Sequence, residues 1–140
     1  KLAPFLPQIG NAWTAKQALP GGNFSCSREQ LASTIHQSYP WMKEDLLFRY
    51  VTQFGNYTWK LLENITTQED LGICFSSEAS GIYQREIDYL IENELAVTAE
   101  DILWRRTKLG LYLNDKEKRY LEDYVNAQHQ SPVVNLSTAI

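Results

Sequence analysis

The chain has 140 residues, a formal net charge of −4, 44% apolar residues and 21% charged residues. That is one soluble-type domain with enough apolar material for a real core, and it argues against wholesale disorder. The acidic balance disfavours a dedicated nucleic-acid binder, and no uncharged apolar run approaches the roughly 18 residues of a membrane-spanning helix.

Residues 1–26 hold three of the five prolines, Pro4, Pro7 and Pro20, together with Gly10, Gly21 and Gly22. Such a segment cannot carry a long helix. It also holds Phe5, Trp13, Leu19 and Phe24, which a freely flexible linker would lack, so it reads as an extended strap lying on something apolar. Gly21-Gly22 follows Leu19-Pro20 with no strand before it, which fits a tight turn and not a phosphate-binding loop. From Ser27 the pattern turns helical. Ser27 and Gln30 match a capping box, Leu31, Ile35 and Tyr39 share a face, and Pro40 stops the run. A second helix is expected from Lys43 to Phe54, with Leu46, Leu47, Tyr50, Val51 and Phe54 as its apolar stripe and Gly55 at its end. Asn56 is placed to cap a third helix carrying Tyr57, Leu61 and Ile65.

Residues 66–81, rich in Thr, Ser and Gly, read as a loop. A fourth helix is expected from Ile82 to Asn93, with Tyr83, Ile87, Leu90 and Ile91 on one face. Thr98 is expected to cap a fifth helix that Gly110 closes. Asn114, with Glu117 three residues on, is expected to cap a sixth carrying Tyr120, Leu121, Tyr124 and Val125. The fold class is therefore all-α: a compact bundle of about six helices with short connections. Residues 1–26 form the strap, 27–127 the helical domain and 128–140 a frayed, flexible tail.

Little in the chain has the spacing that chemistry requires. Cys26 and Cys74 show no paired-ligand spacing, so no metal site is expected, and they are expected to be free and mostly buried thiols. The sequons at Asn23, Asn56, Asn64 and Asn135 need no glycan to explain them. His36 and His129 have no sequence-local carboxylate to orient either as a general base. The acids Glu86, Asp88, Glu92, Glu94, Glu100 and Asp101 read as a solvated face with helix N-terminal charges. The run Trp104-Arg105-Arg106-Thr107-Lys108 stands out. Arg106 continues the apolar face of Ala99, Ile102 and Leu103 at i+7, where it must reach out to solvent or meet a buried acid such as Glu86.

The segment TAEDILWRRTKLGL, Thr98 to Leu111, resembles the C-terminal region of the FAD-dependent, aerobic respiratory glycerol-3-phosphate dehydrogenases. The likeness extends outward in order. Trp13-Thr14-Ala15 with Ala18-Leu19-Pro20-Gly21-Gly22-Asn23-Phe24 is similar to that family's "WTA…ALPGGDF", with Asn23 where Asp is usual. Tyr39-Pro40-Trp41 resembles its "YPWL" turn. Asp70-Leu71-Gly72 and the run Gly81 to Glu94 resemble "DLG…LYEAEVRYLVEHE". Ile73 to Ser80 departs from the family's short "HFG" segment, and Asn93-Glu94-Leu95 stands where "HEW" is expected.

The resemblance covers about residues 10–126 and implies an all-helical C-terminal cap without catalytic activity of its own. The missing part would bind FAD, oxidise sn-glycerol 3-phosphate to dihydroxyacetone phosphate and pass electrons to quinone. It implies a cytoplasmic enzyme peripheral to the inner membrane, with a homodimer as one possible assembly and no nucleic-acid partner. The chain opens Lys-Leu-Ala-Pro and its single Met is Met42, which fits a piece of a longer polypeptide. On that reading Trp13, Phe24, Trp104, Arg105, Arg106, Thr107 and Lys108 are the candidate contacts with the FAD-binding part or with internal acids. The rival readings are a free-standing helical interaction module and a basic-helix nucleic-acid binder using Arg105–Lys108 and Lys116–Arg119. The net charge and the acid interleaved in the second run weigh against the last.

Overall fold

The computed structural model describes residues 14–23, 25–77 and 81–130. Trp13, Phe24 and Asn135 lie outside the described residues, as do the strap before residue 14 and the tail from residue 131. Among the described residues the fold is all-α, with one isolated antiparallel bridge, Cys74 to Tyr83, and no strand. The helices are α1 (Arg28–Ser38), α2 (Glu44–Phe54), α3 (Thr58–Leu61), α4 (Gln84–Glu94) and α5 (Asp115–Gln130). A π-helical segment, Asp101–Arg106, stands between α4 and α5.

Local chemistry sets most of these boundaries. The Ser27 hydroxyl accepts from the Gln30 N–H at 3.2 Å, and the Gln30 side chain accepts from the Ser27 N–H at 2.9 Å, completing the box that starts α1. Asn114 and Glu117 do the same for α5 at 2.8 and 3.1 Å. Glu117 also accepts from the Ser77 N–H and hydroxyl, tying the start of α5 to the loop before α4.

Three expectations need correcting. The third helix is one turn, preceded by a 3-10 turn (Gly55–Tyr57), because Asn64 takes a left-handed φ of 65° that ends helical propagation. Its last carbonyls find partners from outside: Arg85 Nε donates to Leu61 O at 2.7 Å and the Tyr39 hydroxyl to Leu62 O at 3.1 Å. The fifth helix ends at Arg106, not at Gly110, which sits in a 3-10 turn from Leu109 to Leu111. α5 runs through Gln130, so residues 128–130 belong to the helix and not to a tail.

The core joins Leu31 and Ile35 of α1, the whole apolar stripe of α2, Leu61 and Leu62, Ile87 and Leu90 of α4, Ile102 and Leu103, and Leu121 and Val125 of α5. Phe75, from the stretch read as a plain loop, is buried with them and stacks against Tyr120 and Tyr124 at 5.3 and 5.2 Å. The bridge geometry explains this. The Phe75 N–H donates to Ile82 O at 2.7 Å and the Gln84 N–H to Ile73 O at 2.8 Å, which folds the loop back on itself and holds the ring inward.

The Leu19–Gly22 turn forms as expected, with the Gly22 N–H on Leu19 O at 2.8 Å and Gly21 at φ 75° after Pro20. Gly21 is buried against the end of α2, and its carbonyl accepts from the Asn56 N–H at 2.7 Å. A Cβ at Gly21 would lie 2.4 Å from Phe54 O, a backbone atom that cannot swing aside. Gly21→Ala is therefore expected to release residues 14–23 from α2. Amide exchange at Asn56 checks this: it should accelerate by about tenfold or more, and an unchanged rate would refute the clamp.

The 3-10 turn Glu69–Leu71 is held by Asp70, whose carboxylate accepts from the Thr66 N–H and hydroxyl and from the Thr67 N–H, each at 2.8 Å. These bonds bring its pKa down to about 2 from 3.8, with the Thr66 N–H the largest cause. A carboxylate with a lowered folded pKa adds stability above its unfolded value and loses it as pH falls through the folded one. The stability difference between the native chain and Asp70→Asn is thus expected to shrink as pH drops from about 5 to about 2, read from urea midpoints. A constant difference would show that these bonds do not depend on the charge.

Candidate functional site

The chemically densest place is a buried ion pair between α2 and α4. Glu86 is 0% exposed, and Arg49 meets it bidentately, with Nη1 to Oε2 at 2.8 Å and Nη2 to Oε1 at 3.1 Å. Arg49 Nη2 also donates to Gly81 O at 2.6 Å, and the Tyr83 N–H donates to Glu86 Oε1 at 3.2 Å. Glu86 is the third helical residue after Tyr83, so it is the reaching-back half of an N-terminal cap as well as an ion partner. Burial pushes its pKa up, opposed by the charge and hydrogen bonds of Arg49 and by the Tyr83 N–H. Burial works against the Arg49 charge too, but the Glu86 carboxylate beside it holds the guanidinium pKa above its ordinary value. The Tyr50 hydroxyl is buried without a partner among the described residues, and burial raises its pKa strongly, with Glu86 adding to the shift. Every strong bond of this node runs to another part of the domain, so its chemistry is structural.

Glu86 is the acid suggested by the sequence for Arg106, yet Arg49 takes it. The cause is the π geometry of Asp101–Arg106. The Thr107 N–H bonds Ile102 O at 3.1 Å, five residues back, and this wider turn inserts an extra residue. Everything beyond it rotates by about 100° relative to an α-helix, which takes Arg106 off the apolar face. The Arg106 side chain is exposed and makes no hydrogen bond or ion pair among the described residues. The reading of Glu86 as part of a solvated acidic face is likewise overturned by its complete burial.

The run Trp104–Lys108 is not gathered into one site. Arg105 is exposed and pairs with Asp101 at 2.5 Å and Glu100 at 3.0 Å. Asp101 also accepts from the Val97 and Thr98 N–H groups, which makes it the start signal of this segment. Thr107 is buried and is the stop signal: its hydroxyl donates to Ile102 O at 2.6 Å and accepts from the Leu109 N–H at 3.1 Å. Trp104 is half-exposed, packs on Gly110 and has Lys118 Nζ 5.8 Å from its ring centroid. Lys108 donates to Trp104 O.

Arg106 and Lys108 line two different grooves. Arg106 lines one with Pro20, Tyr57, Lys60, Tyr89 and Glu94. Lys108 lines one of about 510 Å³ with Phe48, Arg49, Gln53, Leu109 and Tyr112. Arg49 and Gln53 were not singled out from the sequence, although the signal was present. Arg49 lies three residues after Leu46 and Gln53 seven after it, both on the stripe that α2 buries. Cys26 and Cys74 are free as expected, but both are exposed and not buried. Phe75 and Ile82 take the inward positions around the bridge and leave Cys74 outside, where its thiol donates to Ser76 O at 3.1 Å.

Among the described residues no helix is long and apolar enough to cross a membrane, and no three His, Cys, Asp or Glu side chains are grouped to hold a metal ion. The diglycine at Gly21-Gly22 is closed by Phe54 and Leu19, so it offers no cradle to a dinucleotide phosphate.

Residues 12–130 match the family described as the C-terminal domain of alpha-glycerophosphate oxidase. The chain is 40% identical over 129 residues to a glycerol-3-phosphate dehydrogenase of Pseudomonas aeruginosa, covering 92% of this chain and 25% of that protein. It is 39% identical over 120 residues to the aerobic glycerol-3-phosphate dehydrogenase of Escherichia coli, 85% of this chain and 23% of that protein. It is 36% identical over 129 residues to a D-erythritol 1-phosphate dehydrogenase of Brucella abortus, 91% of this chain and 25% of that protein. The chain thus spans about a quarter of the length of the relatives it matches.

Proposed function

The chain belongs to the family of C-terminal domains of alpha-glycerophosphate oxidase, and from that premise we propose that it is the structural cap of a larger glycerol-3-phosphate dehydrogenase. The remaining part of that polypeptide would oxidise sn-glycerol 3-phosphate to dihydroxyacetone phosphate, with FAD as its cofactor and quinone as electron acceptor. The observation that carries this is the match over residues 12–130 to a domain defined by its place at the C-terminus of such enzymes. The structural part of this reading is supported by the buried charged pair of the described residues, which is spent on bonds inside the domain.

The whole polypeptide is expected to bind FAD and to bleach its absorption on addition of sn-glycerol 3-phosphate, whereas these 140 residues alone should do neither. The relative named for D-erythritol 1-phosphate supports a second reading, in which the substrate is a longer polyol phosphate. Parallel titration with the two phosphates decides between them by which one reduces the flavin at the lower concentration. The absence of flavin from the whole polypeptide would overturn both readings.

Trp13, Phe24, Trp104, Arg105, Arg106, Thr107 and Lys108 are the residues we assign to contact with the rest of the polypeptide or to the integrity of the cap. Thr107, Arg105 and Lys108 bond within the cap itself, and Arg106, exposed and without a side-chain partner among the described residues, reaches outward. Arg106→Ala in the full-length enzyme is accordingly expected to lower its melting temperature or turnover, and unchanged values would remove Arg106 from the contact. A peripheral membrane location and a homodimer belong to the same proposal, as properties of the full-length enzyme.

A further inference from the structure

The groove at the C-terminal end of α4 is where the π turn delivers Arg106. Two cations, Lys60 and Arg106, line it against one acid, Glu94. Lys60 donates to Asn93 Oδ1, a neutral acceptor, and the Arg106 side chain has no partner among the described residues. Its placement is fixed by a specific device. The Thr107 hydroxyl on Ile102 O holds the widened turn, and without the inserted residue Arg106 would face the core. A guanidinium offers a planar fork of donors that fits a carboxylate through two parallel bonds.

The terminal segments of this chain do not supply that carboxylate, because residues 1–13 and 131–140 contain no Asp or Glu. Outside the described residues the one acid is Glu78. Gly81, three residues on, is held by Arg49 ahead of the start of α4, whereas the groove lies at the end of that helix, about 15 Å along it. The groove also adjoins the point where the polypeptide enters the domain. Pro20 and Tyr57 form a wall that it shares with a second groove lined by Lys16 and Leu19. Leu19 is 81% exposed and Tyr57 43% exposed on this side. The matched family is a C-terminal domain and the relatives are about four times as long as this chain, so on the cap reading the preceding polypeptide arrives beside this groove. Covering Leu19 and Tyr57 would take water from the guanidinium and strengthen its attraction to a carboxylate.

We infer that this groove seats an Asp or Glu side chain of the preceding polypeptide, paired through two bonds with Arg106 and within reach of Lys60. The inference rests on the cap reading above and adds the partner's chemistry and its place on the domain. It also gives the π turn a purpose: the turn moves a charge from the core face to the entry side of the domain.

Carbodiimide treatment of the full-length polypeptide tests this, because the reagent joins an amine to a carboxylate in direct contact and leaves no spacer. Peptide mass spectrometry is expected to find Lys60 linked to an Asp or Glu that precedes Lys1. The yield of that link should fall by about tenfold in Arg106→Gln and stay unchanged in Arg119→Gln, an exposed arginine of α5 that does not line the groove. Amide exchange at Leu121 and Val125 reports the fold of the domain and is expected to stay slow in both variants. Coupling of Lys60 only to acids within residues 14–130, or no coupling at all, overturns the inference. So does an upstream link whose yield ignores Arg106→Gln, or a loss of slow exchange in that variant, which would make Arg106 part of the fold. A mixture of isotope-labelled and unlabelled protein covers the remaining occupant: a link between labelled and unlabelled chains places a second copy in the groove and also overturns it. Oxidation of sn-glycerol 3-phosphate by the native sample separates the two claims. An active enzyme without the link loses the docking inference alone, and an inactive one with it loses the dehydrogenase reading alone.

Discussion

Arg49→Met is expected to destabilise the domain by about 3–5 kcal/mol, because it leaves the carboxylate of Glu86 buried without its counter-ion. That is a large share of the roughly 5–15 kcal/mol that holds a domain of this size together. The double variant Arg49→Met, Glu86→Leu is expected to recover much of the loss, since it removes both desolvated charges. Recovery stays incomplete by about 1–3 kcal/mol, because Gly81 O and the Tyr83 N–H lose their partners. The single variant also acquires a pH dependence of known sign. Burial already pushes the Glu86 pKa up, and Arg49 opposes that shift. With Arg49 gone, the folded state binds the proton more tightly than the unfolded chain. Stability is then present at low pH and lost as pH rises through the raised folded pKa. Urea midpoints at about pH 5 and about pH 7 should show Arg49→Met closer to the native protein at the lower value. A loss below about 1 kcal/mol at both values would mean that the pair does not carry the α2–α4 junction.

Phe75→Ala is expected to cost a similar amount, about 3–5 kcal/mol, for a different reason. The ring is buried among core residues and is the neighbour of both Tyr120 and Tyr124, so its removal opens a cavity under α5. The Tyr124 hydroxyl donates to Asp88 Oδ1 at 2.6 Å, which ties α5 to α4, and loss of the ring beneath Tyr124 should loosen that tie as well. The urea midpoint should fall, with amide exchange at Leu121 and Val125 accelerating more than at Leu31 and Ile35 in α1. Phe75→Leu, which keeps most of the volume, should restore the greater part. If Phe75→Ala shifts the midpoint by less than about 1 kcal/mol, the segment around the bridge is not part of the core.

These two residues also mark the boundary of what the sequence revealed. α1, α2 and α5 were legible because period and caps agree there: Ser27 with Gln30, the stripe from Leu46 to Phe54, and Asn114 with Glu117. The all-α class was legible for the same reason. Arg106 was legible as an anomaly but not in its outcome. A period of 3.6 residues placed it inward, and a π turn, which composition does not announce, placed it outward. Phe75 was lost because its burial depends on a bridge between Cys74 and Tyr83 that no periodicity signals.

The sequence by itself determined the helical class, the capping of α1 and α5, the Leu19–Gly22 turn and the family resemblance, all of which depend on residues within about one or two turns of each other or on motifs in fixed order. Only the tertiary structure decided that Glu86 belongs to Arg49, 37 residues away, and that Arg106 and Lys108 open onto separate grooves. The physical reason is that periodicity fixes which way a side chain points from its own helix. Which charge it meets there depends on how distant segments pack, and a buried charge takes the partner that packing brings within bonding distance.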